Sequence, residues 1–387
     1  MPTSTADIDD LIDPLIAFRR DLHAHPELGF AEHRTAARIG EALTELGLEV
    51  HTGIGGTGVV GVLRAGSSDR CLGLRADMDA LPIHEQTGLA YASQTSGVFH
   101  GCGHDGHVAM LLGAARHLAR TRRFDGTVNF IFQPAEEGQG GARAMIADGL
   151  FERCPTDQVY ALHNWPELAA GTAATRPGPI MAAADKFEIT LEGRGSHAAL
   201  PHLTPDAILA ASDLVGQLNT IISRRIPPTR SAVLSITQIA AGHAHNVLPA
   251  SARIIGTVRS FDPEVQDTIE AALRQIVQGV ALGSGMRAVV TYDRYYPATR
   301  NDPEAAGEAL NVACSVCRHA ELAPDPAFTS EDFAFMLQAR KGAYLWLGQG
   351  RGADSPPLHH PHYDFNDDII ATGLNWHVGL AERLLSA

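Results

Sequence analysis

The sequence predicts an α/β protein: a mostly parallel sheet with helices on its faces, interrupted by a smaller inserted α+β unit. Three observations carry this. Strand-like and helix-like runs alternate over the first 180 residues and resume after residue 300, the pattern of a parallel sheet built from helical crossovers. Three of the strands end in polar residues: Asp77 and Asp79, Glu136 and Glu137, and His163. In open α/β sheets, sites form outside the carboxyl ends of the strands. Between the two α/β parts the order becomes βαββαβ, a complete small unit. The expected division is residues 1–181 and 297–387 for the main domain and 182–296 for the insert.

The elements follow in order. Apolar residues at helical spacing (Ile8, Leu11, Ile12, Leu15, Ile16, Leu22) predict a helix over 7–25 that Pro26 stops. A second helix is expected from about Glu32 to Leu46, with Gly47 closing it. Thr57–Leu63 and Cys71–Pro82 read as strands, 127–133 as another, then a helix near 141–149 and a strand from Gln158 to His163. In the insert, strands at 185–192, 231–239, 252–259 and 287–292 alternate with helices at 205–224 and 263–282. The main domain resumes with helices at 303–319 and from Ser330, a strand at 343–348 and a closing helix after about 367.

Composition narrows the function classes. The chain has 387 residues, 45% of them hydrophobic, and a formal net charge of −14. That balance argues against nucleic acid or an anionic membrane as partner. No apolar run approaches the roughly 18 residues of a membrane span, and the polar, acidic start has no signal-peptide pattern. Five cysteines (Cys71, Cys102, Cys154, Cys314, Cys317) are sparse and odd in number, as expected of free thiols in a reducing compartment. The expected location is the cytoplasm.

The densest chemistry lies in 96–113, where His100, Cys102, His104, Asp105 and His107 fall within eight positions ahead of a helix-like run. Cys102 and His104, two apart across a glycine, can aim a sulfur and a ring nitrogen at one point. That donor pair suits Zn, Mn, Co or Ni. Asp105 falls where an N-cap is expected. The alternative is a polar turn with a buried cysteine and satisfied histidines. Glu137, His163 and one histidine of 359–362 add donors enough for two ions sharing a site, which together activate a water. Glu136, beside Glu137, then remains free as a general base.

Taken together, several motifs resemble the metallo-aminoacylase and glutamate-carboxypeptidase family of co-catalytic metallopeptidases. They are His23-Ala-His25-Pro26-Glu27, Asp77-Met-Asp79-Ala-Leu-Pro82, Gly101-Cys102-Gly-His104-Asp105-Gly-His107, Gln133-Pro-Ala-Glu136-Glu137-Gly, Leu162-His163-Asn-Trp-Pro, Gly195-Ser-His197, His245-Asn246-Val-Leu-Pro, Ser330-Glu331-Asp332-Phe and Leu358-His359-His360-Pro. Within that family the chain resembles the N-acyl-amino-acid amidohydrolase branch, which includes hippurate hydrolases and indole-3-acetyl-amino-acid hydrolases. The resemblance implies that Cys102, His104, Glu137, His163 and His359 ligate two divalent ions and that Glu136 is the base. It implies an N-acyl amino acid as the small-molecule substrate. It also implies that the insert acts as a lid and as the interface of a homo-oligomer. His197 would stabilise the oxyanion, and Asn246 and Arg259 would hold the substrate carboxylate. This sequence departs from the pattern twice. His360 follows His359 where a small polar residue is usual, so the last ligand is read as His359. The family's early His-x-Asp pair is Asp77-Met-Asp79 here, which leaves Asp79 to orient a neighbouring ligand.

Other features read as structural. Cys314-Ser-Val-Cys317 lies in a helical run with no second cysteine pair and is expected to be buried. His117, His202, His243, His245 and His319 are expected at the surface or behind the ligands. Glu27 and His25 are candidates either for site support or for capping. A dipeptidase or carboxypeptidase on the same scaffold, and a non-catalytic metal-binding protein, are the competing functions.

Overall fold

Strand Gly126–Gln133 is buried along all eight residues, as expected of a strand covered on both faces. It lies inside an eight-stranded sheet, seen in a computed structural model that describes residues 8–323, 325–352 and 355–386. Across the sheet the strands run Glu49–Ile54, Gly58–Ala65, Gly126–Gln133, Cys71–Asp77, Gln158–Ala169, Lys341–Gly350, Thr172–Thr175 and His319–Leu322. The middle four are mutually parallel. Antiparallel pairings add the first two strands on one side and Thr172–Thr175 on the other. The polar strand ends identified above therefore meet at one edge.

Three strands of this sheet were not expected from the sequence. Glu49–Ile54 is an exposed edge strand with one buried residue, so its burial pattern is too weak to read. Thr172–Thr175 and His319–Leu322 are four residues each and pair in parallel at the far edge. Helices Asp9–Ala24, His104–Thr121 and Ile370–Leu384 pack together. Gly113 permits this, since a Cβ there would stand 2.6 Å from both Leu15 and Leu374. Each large aliphatic or aromatic side chain sealed in this core stabilises the fold by about 1.5–3 kcal/mol.

The chain divides into two units, one comprising residues up to Ile180 with 299–325 and 332–387, the other 181–298 with 326–331. The second has its own four-stranded antiparallel sheet, ordered Ala232–Ala241, Ser251–Ser260, Ala183–Glu192 and Arg287–Tyr296. Its hydrophobic core is separate, built from residues such as Phe187, Leu214, Ile254 and Leu273. The helix expected over 205–224 is two, Ala207–Leu218 and Thr220–Arg225, meeting at Asn219. Asp206 caps the first, accepting from the amides of Ile208 and Leu209.

Candidate metal centre

The helix after the Cys102 loop begins earlier than its apolar pattern suggests, at His104. Its N-cap is Gly103, at φ +89, rather than Asp105. Only glycine takes that conformation without strain, and a Cβ there would lie 2.4 Å from the Tyr363 hydroxyl. His104 and His107 thus sit in the first turn, three residues apart on one side. Asp105 is buried behind them, where its Oδ2 meets Arg19 Nη1 at 3.2 Å and His23 Nδ1 at 2.9 Å.

The histidine tautomers show what the site is built to hold. His104 Nδ1 lies 2.9 Å from the Asp79 carbonyl and 3.2 Å from Asp79 Oδ1. Both are acceptors, so Nδ1 donates. His163 Nδ1 likewise donates to the Asn164 carbonyl at 2.8 Å. Each ring therefore presents Nε2 inward. His163 Nε2 is 3.4 Å from Cys102 Sγ. His104 Nε2 is 3.9 Å from Glu137 Oε1 and is buried without a hydrogen-bond partner. Cys102, His104 and Glu137 offer donor atoms within 4.8 Å of one another, as do Asp77, His104, His107 and His163. His359 Nε2 stands 3.2 Å from Glu137 Oε1. Its backbone is at φ +66, and its amide donates to the Gly101 carbonyl at 2.8 Å. His360 turns away, its Nδ1 accepting from the His362 amide at 3.2 Å.

Electrostatics agree with a cation in this place. Burial works against a charge on His104, but Asp77, Asp79 and Glu137 outweigh it and push the imidazole up to about 10. Burial, with His107 and His104 alongside, holds His163 well below its usual range and keeps it neutral. Burial and the carboxylates of Glu137, Glu136 and Asp77 raise the Cys102 thiol well above its ordinary value. A bound divalent ion reverses that last effect, since a coordinating thiol is deprotonated. Thiolate, imidazole and carboxylate in one buried cluster, with the inward His104 Nε2 making no hydrogen bond, fit a pair of divalent ions.

Glu136 and Glu137 follow strand Gly126–Gln133 in a turn. The Glu137 amide donates to Asp79 Oδ2 at 3.0 Å, so Asp79 touches both His104 and this turn. Glu136 is buried, and its Oε1 accepts from the Asp332 amide at 3.3 Å. Asp332 Oδ1 in turn meets Gln133 Nε2 at 2.6 Å and Arg75 Nη2 at 3.2 Å. Arg75 also reaches Asp77 Oδ2 at 2.7 Å. Although burial opposes its charge, His104, Arg75 and His107 hold Asp77 well below the usual carboxylate range. The sequence brought Asp77 to the site edge, His107 into the metal-ligating stretch and Asp332 into a family motif, but gave none of them, nor Arg75, a role in this network. The i, i+3 spacing of His104 and His107 was the available signal for one of them.

The remaining candidates lie in the second unit. His197 and Val247 pair across a two-residue ladder. His197, Asn246, His243 and Arg194 line a cavity of about 670 Å³. His197 is exposed, and its Nδ1 accepts from the Ala199 amide at 3.1 Å. Arg259 Nη1 donates to Thr257 Oγ1 and to the Val258 carbonyl, and its Nη2 reaches the Tyr295 hydroxyl at 3.5 Å. Two expectations need correction. His117 is buried in the metal-bearing helix. Cys314 is exposed at a helix end, with only Cys317 partly covered.

Residues 73–383 match the peptidase family M20/M25/M40, and the chain belongs to that family. It is 41% identical over 381 residues to a hippurate hydrolase of Campylobacter jejuni, covering 98% of both chains. It is 37% identical over 376 residues to an N-acetylcysteine deacetylase of Bacillus subtilis, covering 96% of this chain and 97% of that one. Among solved structures it is similar to the Bacillus subtilis YxeP protein, described as a dinuclear metal-binding peptidase of the M20 family. The TM-score is 0.85 at 33% identity, covering 97% of this chain and 99% of that one.

Proposed function

We propose that this chain is a metal-dependent amidohydrolase that cleaves the amide bond of small N-acyl amino acids. One observation carries the reading. The inward Nε2 atoms of His104 and His163 face Cys102 and Glu137, with a further buried carboxylate, Glu136, next in the chain. The names of the relatives support the substrate class: one is a hydrolase of hippurate, an N-acyl amino acid, and the other a deacetylase of N-acetylcysteine.

In this reading Cys102, His104, Glu137, His163 and His359 hold two divalent ions, drawn from Zn, Mn, Co and Ni. When bound, such a pair lowers the pKa of water and polarises a carbonyl oxygen. Glu136 takes the proton of the attacking water and returns it to the leaving amine nitrogen, while Asp79 keeps the His104 ring and the Glu137 amide in place. His197 stabilises the oxyanion, and Asn246 and Arg259 bind the substrate carboxylate.

The second unit serves as a lid and joins two copies of the chain. The exposed edge strand Ala232–Ala241, with Ile239 and the neighbouring Ile208 and Leu209 exposed, supports such an interface. The free cysteines support a reducing, cytoplasmic setting. Among the described residues no helix is long and apolar enough to cross a membrane.

The test compares wild type with Glu136→Gln on N-acetyl, N-benzoyl and indole-acetyl amino acids and on dipeptides, with and without chelator. Wild type should turn over acyl amino acids and stop on chelation. Glu136→Gln should keep its metal and lose about 10²–10⁴-fold in kcat. A fully metal-loaded wild type that cleaves no acyl amino acid refutes the proposal, and preferential cleavage of dipeptides replaces it with a peptidase.

A further inference from the structure

The segment Pro26–His33 supplies no donor to the metal-capable clusters, yet it grips the turn that carries Glu136 and Glu137. Glu32 stands at the N-cap position of helix His33–Glu45. A carboxylate there could cap the first amides, but Glu27 does so instead. Its Oε1 accepts from the Arg34 amide at 3.0 Å and its Oε2 from the Thr35 amide at 2.8 Å. Glu32 is thereby free to turn inward, where it is fully buried. One oxygen accepts from Thr57 Oγ1 at 2.5 Å and the other from the Ala135 amide at 2.8 Å.

Ala135 is the residue immediately before Glu136, and it is held at φ +52. That left-handed conformation is unfavourable for a side chain, so something must fix it. Gly29 presses on the same spot, as a Cβ there would come within 3.1 Å of Ala135 Cα. The segment also meets the Asp79 loop, since the Ala80 amide donates to the Glu27 carbonyl at 2.9 Å. The turn is therefore pinned at two amides by two carboxylates: Ala135 by Glu32, and Glu137 by Asp79. Glu136 lies between the two pins.

We propose that Glu32 is a positioning residue: through the Ala135 amide it sets the turn that aims Glu136 as base and Glu137 as ligand. This rests on the function proposed above. Glu32 belongs to none of the metal-capable clusters among the described residues, and it works by geometry rather than by charge. A glutamine should therefore replace it, because its carbonyl still accepts from Ala135 while the Thr57 hydroxyl rotates to accept from its amide. An alanine leaves the Ala135 amide buried and unpaired.

The experiment measures three quantities on Glu32→Gln, Glu32→Ala and wild type: zinc affinity by competition with a chromogenic chelator, kcat and KM at saturating metal, and thermal stability. Glu32→Ala should lose about 10- to 100-fold in zinc affinity and in kcat, the usual cost of removing a group that orients a ligand, with KM nearly unchanged. Glu32→Gln should stay within about threefold of wild type in both. If Glu32→Ala does not fold, Glu32→Asp takes its place: it keeps the charge, falls one methylene short of Ala135, and should show the same losses. A folded, loaded Glu32→Ala or Glu32→Asp with wild-type kcat and zinc affinity overturns the inference, as does a glutamine variant as impaired as alanine. If wild type cleaves no acyl amino acid, the proposed function fails, while the zinc affinities still decide the role of Glu32.

Discussion

Replacing His23 by glutamine should flatten the alkaline side of the stability profile. His23 is buried between Asp105, 2.9 Å from its Nδ1, and Glu85, 3.4 Å from its Nε2. Burial works against its charge and Arg19 opposes it too, but Asp105 and Glu85 prevail and push the imidazole from 6.5 up to about 9. A group whose pKa is raised on folding stabilises the folded state fully below its unfolded value, and that contribution fades as pH climbs to the folded value. At roughly 1.4 kcal/mol per pKa unit, the difference amounts to about 3 kcal/mol. Wild type should therefore lose about 3 kcal/mol between pH 6.5 and 9 that the His23→Gln variant does not lose. The assay is urea unfolding of the metal-loaded protein at several pH values from 6 to 10, with metal present so that His104 does not titrate as a free imidazole. If the two curves run parallel across that range, His23 is not held as an imidazolium and the reasoning fails.

Further outcomes follow from the same geometry. Asp105→Asn should destabilise the fold by about 3–5 kcal/mol, because it leaves the buried guanidinium of Arg19 and the ring of His23 short of a charge partner; equilibrium unfolding near pH 7 measures this. Cys102→Ser should weaken binding of zinc more than that of manganese, since it exchanges a soft ligand for a hard one; competitive titration with the two metals reads the ratio. Stripping metal with a chelator should lower the unfolding midpoint, by about 2.7 kcal/mol of stability relative to protein held at 100 times the Kd. Gly103→Ala should cost both stability and metal affinity, because the new Cβ would meet the Tyr363 hydroxyl at 2.4 Å in a backbone conformation unsuited to it; a wild-type zinc affinity in that variant would contradict the role given to the Cys102–His104 loop.

Much of this arrangement was legible in the sequence because its signals are local. Cys102-Gly-His104 and Glu136-Glu137 are contiguous, and the polar endings of three strands mark the sheet edge on which they meet. The choice of His359 over His360 rested on the family resemblance alone, because two adjacent loop histidines differ only in which one the φ of +66 at residue 359 turns toward Glu137. Arg75, Asp332 and Glu32 were hidden for another reason. Arg75 meets Asp332 across 257 positions and Glu32 reaches Ala135 across 103, and the carboxylates of Glu32 and Asp332 act on backbone amides, which carry no residue-type signal. Strands such as Glu49–Ile54 escaped because an exposed edge lacks the alternation that buried pairing imposes. Asp105 was misplaced as a cap because its burial against Arg19 depends on a helix nearly ninety residues earlier.

The strand order has a consequence for how the chain is made. All four strands of the small sheet lie between residues 183 and 296, so a ribosome that has released them has delivered a complete sheet with its own core. The large sheet then still lacks His319–Leu322 and Lys341–Gly350, and the latter must slot between Gln158–Ala169 and Thr172–Thr175. His359 is also yet to emerge, as are Asp364 and Asp367, two of the three carboxylates that meet Arg19. At ordinary rates of synthesis the missing stretch takes on the order of 10 s. Throughout that interval the buried flank of Gln158–Ala169 stays open while Cys102, His104, Glu137 and His163 are already exposed to whatever metal is present. The nascent chain thus has a period in which it can capture an ion incompletely or pair its open edge wrongly, and a chaperone that covers that edge would protect both.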